Sequence, residues 1–456
     1  MPLDTDYAEF LAGKRPAANA VGLDKVPDLH CDLMPHQRDC VAFGLRQGRF
    51  GLFLDTGLGK TFSQLEWARH SLEASNGKAL ILAPLAVAAQ IVREGKTRGY
   101  EVQQIRDQTE AREGINVCNY DRLNRLDFDA FGAVSLDESS ILKSFTGKTT
   151  RALIGAFRDH RFRCAATATP APNDHMELGQ HSEFLGVMRS NEMLMRWFIA
   201  DQTEMGRYRL KGHAEASFWD WMSSWCRMAE TPADFGYDAS AYNLPPLNVH
   251  RHRAAGDIRA PAGLLFSGDL SATTLHETKR RTANARAKAI AALMPKGEAC
   301  VVWCDTDYEA DAIRAEIPEI KEVRGSHPIE RKEETLEAFA SGQVQWLLTK
   351  PSVAGFGMNW QHCATIIFAG RSFSYEAWYQ AVRRSWRFGQ KRPVECHLIV
   401  AEGEDQIGRV IDRKGGDHKK MKQAMSAAMR RAMARDAGVR VPYQPMHKGE
   451  FASWIS

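Results

Sequence analysis

The chain reads as an α/β protein built from two parallel-sheet units with a helical insert between them. Three observations predict this. Short apolar runs alternate with helical patterns from about Leu33 to Phe184, and the alternation resumes from about Lys279. In the middle the pattern changes, as Trp197, Trp219, Trp221 and Trp225 crowd together with interleaved methionines. At 456 residues the chain also exceeds one ordinary domain. The expected parts are an arm (1–30), a first unit (31–187), a helical insert and linker (188–278), a second unit (279–402) and a basic helical tail (403–456).

The strand candidates of the first unit are FGLFL, ALILA, GINVCN, AVSLD and RCAATAT, with FSQLEWARHSLEA as a helix between the first two. In the second unit ACVVWC, QWLLT, ATIIFAG and VECHLIV read as strands, and YEADAIRAEI and SYEAWYQAVRRSWRFG as helices. Sheets of this kind bind ligands at the carboxyl ends of their strands.

Composition narrows the classes. With 44% apolar and 25% charged residues the chain is globular, and its net charge of +4 gives no whole-chain argument for a nucleic-acid partner. Between Arg409 and Arg440, however, ten Lys/Arg face three Asp/Glu. Such a basic helix is either a solvated face or a nucleic-acid contact, and its Met and Ala residues are expected to pack it on the second unit. Nine cysteines with no Cys-x-x-Cys argue against a zinc site or a disulfide frame and fit a reducing cytosol. The start, MPLDTDYAEF, lacks the features of a signal peptide. The most apolar window, Ala79–Ile91, is too short for a bilayer and is broken by Pro84. A cytoplasmic protein without a membrane partner is expected.

Four stretches carry chemistry. In LFLDTGLGKTF, Gly57 and Gly59 allow a tight turn whose N–H groups face an anion at a helix start. Lys60 there reaches β- and γ-phosphates, and the Thr61 hydroxyl suits Mg²⁺. The strict phosphate-loop pattern wants glycine where Leu54 stands, and a plain glycine-rich turn with a surface lysine is the alternative. In AVSLDESSILK an apolar strand ends in Asp137-Glu138. Asp137 suits Mg²⁺ and Glu138 the attacking water, although an acidic pair after a strand also serves as an N-cap. In TATPAPND, the hydroxyls of Thr167 and Thr169 stand beside that pair, and a Pro-rich turn is again an adequate reading. In YQAVRRSWRFGQ, Gln380, Arg384 and Arg387 share one helical face, where an arginine can meet a γ-phosphate or simply face solvent.

In this order the stretches resemble the superfamily II helicase-like ATPases, and best the Swi/Snf-type branch. LMPHQRDCVAF is similar to the Q motif, DTGLGKT to motif I, ILAPLAVAAQ to motif Ia and VCNYDRL to motif Ib. LDESSILKS resembles motif II, TATPAPNDHMEL motif III, and ACVVWCDTDYEADAI motif IV. KPSVAGFGMNWQHC resembles motif V and QAVRRSWRFGQKRPV motif VI. The likeness covers about residues 30 to 415 and implies two RecA-like lobes (a P-loop NTPase fold) with ATP and Mg²⁺ between them. It implies Gln37 as the adenine reader, Thr56, Gly57, Leu58, Gly59, Lys60 and Thr61 as the phosphate cradle, and Thr61 and Asp137 as the metal pair. It further implies Gly357 near the phosphates, and Arg387 as the arginine finger with Arg384 as its partner. Coupling falls to Ser140, Thr167, Thr169 and Gln380. Nucleic acid, taken as duplex DNA held by its phosphates, would contact Pro84, Tyr120, Lys350 and Ser352, while Lys143 is either a further contact or a salt-bridge partner.

One departure stands out. Motif II of the family ends in His or Asp after Asp-Glu-Ala, whereas here Ser139-Ser140 follow, and Ser140 is expected to bond to motif III. In its compactness the chain looks like helicases of bacteria and their phages. The implied activity is ATP-driven translocation on duplex DNA, with a strand-separating helicase and a nucleotide-gated clamp as alternatives. The tryptophans either stack bases or fill a helical core.

Overall fold

The computed structural model describes residues 17–144, 147–200, 208–254, 272–355, 358–370, 372–401 and 404–436. Most of the expected arm, part of the insert and linker, Gly357 and the end of the basic tail lie outside the described residues.

Fifteen strands are described. β1 (Arg49–Leu54), β2 (Lys78–Ala83), β3 (Val102–Gln104), β4 (Gly114–Asn119), β5 (Ala133–Asp137) and β6 (Phe162–Ala166) come first. β7 (Phe198–Ala200) and β8 (Tyr208–Leu210) form an antiparallel hairpin, and β9 (Cys226–Ala229) follows. Then come β10 (Leu247–Arg253), β11 (Cys300–Trp303), β12 (Lys321–Val323), β13 (Trp346–Thr349), β14 (Thr365–Phe368) and β15 (Val394–Val400). The first sheet has the order β3-β4-β2-β5-β6-β1-β9 and the second β10-β15-β14-β11-β13-β12. Every pairing within these two sheets is parallel.

The apolar runs explain the layering. Alternate residues of one strand face opposite sides, so a continuous run implies burial on both faces. In β2, Leu80 and Leu82 join one cluster with Phe53 and Leu136, while Ala79 and Ile81 join another with Leu52 and Leu54. The second sheet is sandwiched likewise, Val301 facing one cluster and Val302 the other. Two RecA-like lobes result, in agreement with the expected fold class.

The middle of the chain differs from the expectation of a separate helical insert. β9 extends the first sheet beside β1, and β10 extends the second beside β15. Trp197, Trp221 and Trp225 are almost fully buried, and with Trp219 they complete the core of the first lobe. Tryptophans in apolar surroundings favour burial over display, so none of the four forms a base-stacking platform.

The tail corrects a second expectation. The helix Asp405–Asp436 starts on lobe two, where Ile407 and Ile411 pack against Tyr375. Its Met421, Met425, Ala428 and Met429 then enter the two core clusters of lobe one rather than lobe two. An apolar stripe longer than lobe two can cover finds its complement across the cleft. All nine cysteines are free thiols, eight of them buried. No described helix is long and apolar enough to cross a membrane.

Candidate active site

Three neighbouring strands of lobe one, β5, β6 and β1, deliver their carboxyl ends to one place. β1 runs into the loop Asp55–Gly59 and the helix Lys60–Glu73. Gly57 and Gly59 have φ of 95° and 79°, which side chains strongly disfavour. A Cβ on Gly59 would lie 2.1 Å from the Gln37 amide nitrogen. The helix that follows has no side-chain cap, so its first N–H groups are free to meet an anion. Lys60 Nζ donates to the Leu54 carbonyl at 2.9 Å and lies in the field of Glu138, Asp137 and Asp55. Burial lowers its pKa against those three charges.

Gln37 sits above the loop. Its carbonyl oxygen accepts from Met34 N at 3.0 Å and its amide donates to Leu58 O at 3.1 Å. His36 holds the same Leu58 carbonyl at 3.2 Å. Thr56 and Thr61 stand at the two ends of the turn.

β5 ends at Asp137. Gln64, on the helix Lys60–Glu73, donates to Asp137 Oδ1 at 2.8 Å and is itself fixed by Ser135 Oγ at 2.7 Å. Burial, then the neighbouring Glu138 charge, pushes the Asp137 carboxyl up to about 7. The next residue, Glu138, has φ of 54° and is the only non-glycine with positive φ among the described residues. Strain of this sort concentrates where a side chain must be aimed.

The left-handed turn also explains a correction. It directs Ser139, whose hydroxyl meets His181 Nε2 at 3.1 Å. The bond to motif III expected of Ser140 is made instead by Glu138, whose Oε2 accepts from Thr167 Oγ1 at 3.2 Å. From there a relay crosses the cleft. Thr169 N donates to Thr167 Oγ1 at 3.1 Å, and Gln380 Nε2 of lobe two donates to Thr169 Oγ1 at 3.3 Å. Arg384 Nη2 donates to Gln380 Oε1 at 2.9 Å. Thr167, Thr169, Gln380 and Arg384 are all nearly fully buried.

The two arginines project from the helix Tyr375–Ser385, capped by Ser374 Oγ on Ala377 N, and from the turn after it. Both guanidinium groups donate to the Met358 carbonyl, Arg384 at 3.2 Å and Arg387 at 3.4 Å. Arg384 feels Glu138 and Asp137. Arg387 faces no member of the acidic pair; burial and then Arg384 push its pKa down to about 9. The two therefore meet, but in this conformation Arg384 is the one turned to the carboxylates. Gly357 lies outside the described residues.

A cavity of about 780 Å³ opens beside the acidic pair, between the lobes. Pro84, Tyr120 and Ser352 line it together with Lys143 and Ser140. Tyr120 OH also donates to the Asp137 carbonyl at 2.7 Å, which ties the cavity wall to motif II. Lys143 pairs with Glu376 across the cleft at 2.5 Å. Lys350 is not brought into this group, because its ammonium is held by Asp307 at 2.9 Å.

Sequence reasoning missed the second set of charges on the loop Asp55–Gly59. Asp55 is gripped by Arg383 at 2.7 Å, by Lys422 at 3.3 Å and by the Tyr379 hydroxyl. The only signal was an acid directly before the glycine turn with an arginine beside Arg384.

Residues 285–389 match the model of the helicase conserved C-terminal domain. No curated protein matches the chain in sequence. In shape it is similar to S. cerevisiae Dbp5 bound to RNA and ADP BeF3, with a TM-score of 0.54 at 13% identity over 86% of this chain and 93% of that one. It is similar too to Mss116p (NTE and C-tail double deletion) bound to ssRNA and AMP-PNP, with a TM-score of 0.54 at 13% identity over 84% and 72%. The tandem lobes thus share the fold of these two structures, and residues 285–389 of the second lobe match the helicase conserved C-terminal domain.

Proposed function

We propose that the chain is a nucleic-acid-dependent ATPase that moves along duplex DNA in the manner of the Swi/Snf branch. The observation that carries this is the relay from Glu138 through Thr167, Thr169 and Gln380 to Arg384, which joins an acidic pair on one lobe to a guanidinium on the other.

The residues fit a triphosphate with a divalent cation. Two glycines in left-handed conformation, an uncapped helix start and a buried lysine suit phosphate oxygens. The buried carboxyl of Asp137 beside Glu138, with the Thr61 hydroxyl, suits Mg²⁺. Bound there, the metal supplies positive charge to the phosphate oxygens.

In this reading Lys60 and the loop amides hold the β- and γ-phosphates, and Gln37 reads adenine. Glu138 accepts the proton of the water that attacks the γ-phosphorus as the bond to ADP breaks. Arg384, with Arg387 behind it, offsets the charge gathering on the transferred group. Because Arg384 belongs to lobe two, loss of the γ-phosphate loosens closure, and a strand held in the cavity by Pro84, Tyr120, Ser352 and Lys143 is advanced. Contacts of that kind are mainly to phosphates, so affinity falls steeply with salt.

The RNA in both similar structures is the ground for a second reading, a strand-separating helicase. ATP turnover with added duplex DNA, single-stranded DNA, forked DNA and RNA tests both. Stimulation of about tenfold or more by duplex DNA, with triplex displacement and no unwinding, is expected. Stimulation by RNA alone supports the second reading, and turnover indifferent to every nucleic acid rejects both.

A further inference from the structure

The helix Asp405–Asp436 is 32 residues long and spans roughly 48 Å at 1.5 Å per residue. It leaves lobe two and inserts Met421, Met425, Ala428 and Met429 into the cores of lobe one. Halfway along, Lys422 is almost fully buried, its side chain 3% exposed. Its ammonium stands 3.3 Å from Asp55 Oδ2 and 3.3 Å from Glu230 Oε1, over the ring of Tyr379. Asp55 directly precedes Thr56 of the phosphate loop, and its Oδ1 accepts from Thr56 N at 2.6 Å. The same carboxylate takes Arg383 and Tyr379 from lobe two. Two separate helices therefore converge on one acid at the root of the loop.

We propose that this helix is a clasp between the lobes, and that Lys422 on it is a positioning residue for the phosphate loop, acting through Asp55. Two buried cations on one carboxylate fix its orientation more tightly than either does alone. The carboxylate in turn fixes the Thr56 amide at the entrance of the glycine turn. Buried charge pairs of this kind are better suited to fixing one geometry than to adding net stability. The flanking pairs Ser426–Asp234 (2.7 Å) and Arg431–Asp220 (2.8 Å) set the register of the helix on lobe one. Lys422, Arg430 and Arg431 of this basic segment thus serve internal pairing.

The role in ATP chemistry rests on the reading of the phosphate loop given above, whereas the clasp itself does not, and two readouts separate them. In the first, spin labels on Cys31, the one exposed thiol of the nine, and on Glu319→Cys report the distance between the lobes. The unsubstituted background gives one narrow distribution and Lys422→Met a broad one. An unchanged distribution overturns the clasp. In the second, ATP turnover of Lys422→Met falls about tenfold or more while KM changes little, since small misplacements of reacting groups cost rate. Lys422→Arg restores most of it, and Lys422→Met adds nothing further to Asp55→Asn. Wild-type turnover in Lys422→Met, or full additivity with Asp55→Asn, overturns the positioning role. Should Lys422→Met not fold, hydrogen exchange on the unsubstituted chain decides. AMP-PNP should raise protection over residues 418–430, and unchanged protection with nucleotide bound refutes the coupling. If AMP-PNP does not bind at all, the ATPase reading fails while the distance measurement still tests the clasp.

Discussion

Asp137→Asn should stabilise the fold while destroying its activity. Burial and the Glu138 charge push the Asp137 carboxyl from an ordinary 3.8 to about 7. Between these values the folded chain binds a proton that the unfolded chain has released. The contribution of Asp137 to stability is therefore greatest below its unfolded pKa and falls as pH rises through the window, the cost being complete above about pH 7. Each pH unit inside the window is worth about 1.4 kcal/mol, so the two units from pH 5 to pH 7 are worth roughly 3 kcal/mol. For a lobe of this size that corresponds to a drop in Tm of about 6 °C or more. Asparagine keeps an oxygen for Gln64 Nε2, now 2.8 Å away, and carries no charge. Thermal unfolding followed by circular dichroism at pH 5 and pH 8, in EDTA, separates the two proteins. The unsubstituted chain should lose about 6 °C more than Asp137→Asn across this range. Equal losses would show that the acidic pair carries no such stored cost.

Other substitutions test the rest of the site. Glu138→Gln should abolish turnover, by about 100-fold or more, and still bind nucleotide, as fluorescent-nucleotide titration reads out. Arg384→Ala and Arg387→Ala should each cut turnover, by roughly 1,000-fold for the one that meets the γ-phosphate, with affinity for nucleic acid nearly intact. A parallel loss of binding would make the arginine a backbone contact. Trp221→Ala removes a 1% exposed ring stacked on Trp197 at 4.6 Å and should cost about 3–5 kcal/mol in denaturant unfolding. Unaltered stability with weakened binding of single strands would restore the base-stacking reading.

The two sheets were legible because parallel strands buried on both faces are continuous apolar runs, as in Lys78–Ala83 and Ala133–Asp137. β10 was not, because Leu247–Arg253 is a largely exposed edge strand with polar residues at most positions. β12 is three residues long, too short for any period to show. The tryptophans of 197–225 hid β9, since a dense aromatic stretch reads equally as helix or strand. Within the site, glycines, acids and arginines on turns marked themselves by spacing. What no spacing reveals is partnership across the cleft: Asp55 with Lys422 is separated by 367 residues. The exchange of roles between Ser140 and Glu138 depends on the left-handed backbone of Glu138, which its side-chain chemistry does not announce.

The most direct measurement is a crystal structure of the chain with ADP, BeF3 and Mg²⁺. A guanidinium of Arg384 or Arg387 should donate to the fluorides while Lys60 touches the same group from the other lobe. Beryllium fluoride bound by Lys60 with both arginines turned away and the lobes apart would contradict a shared site.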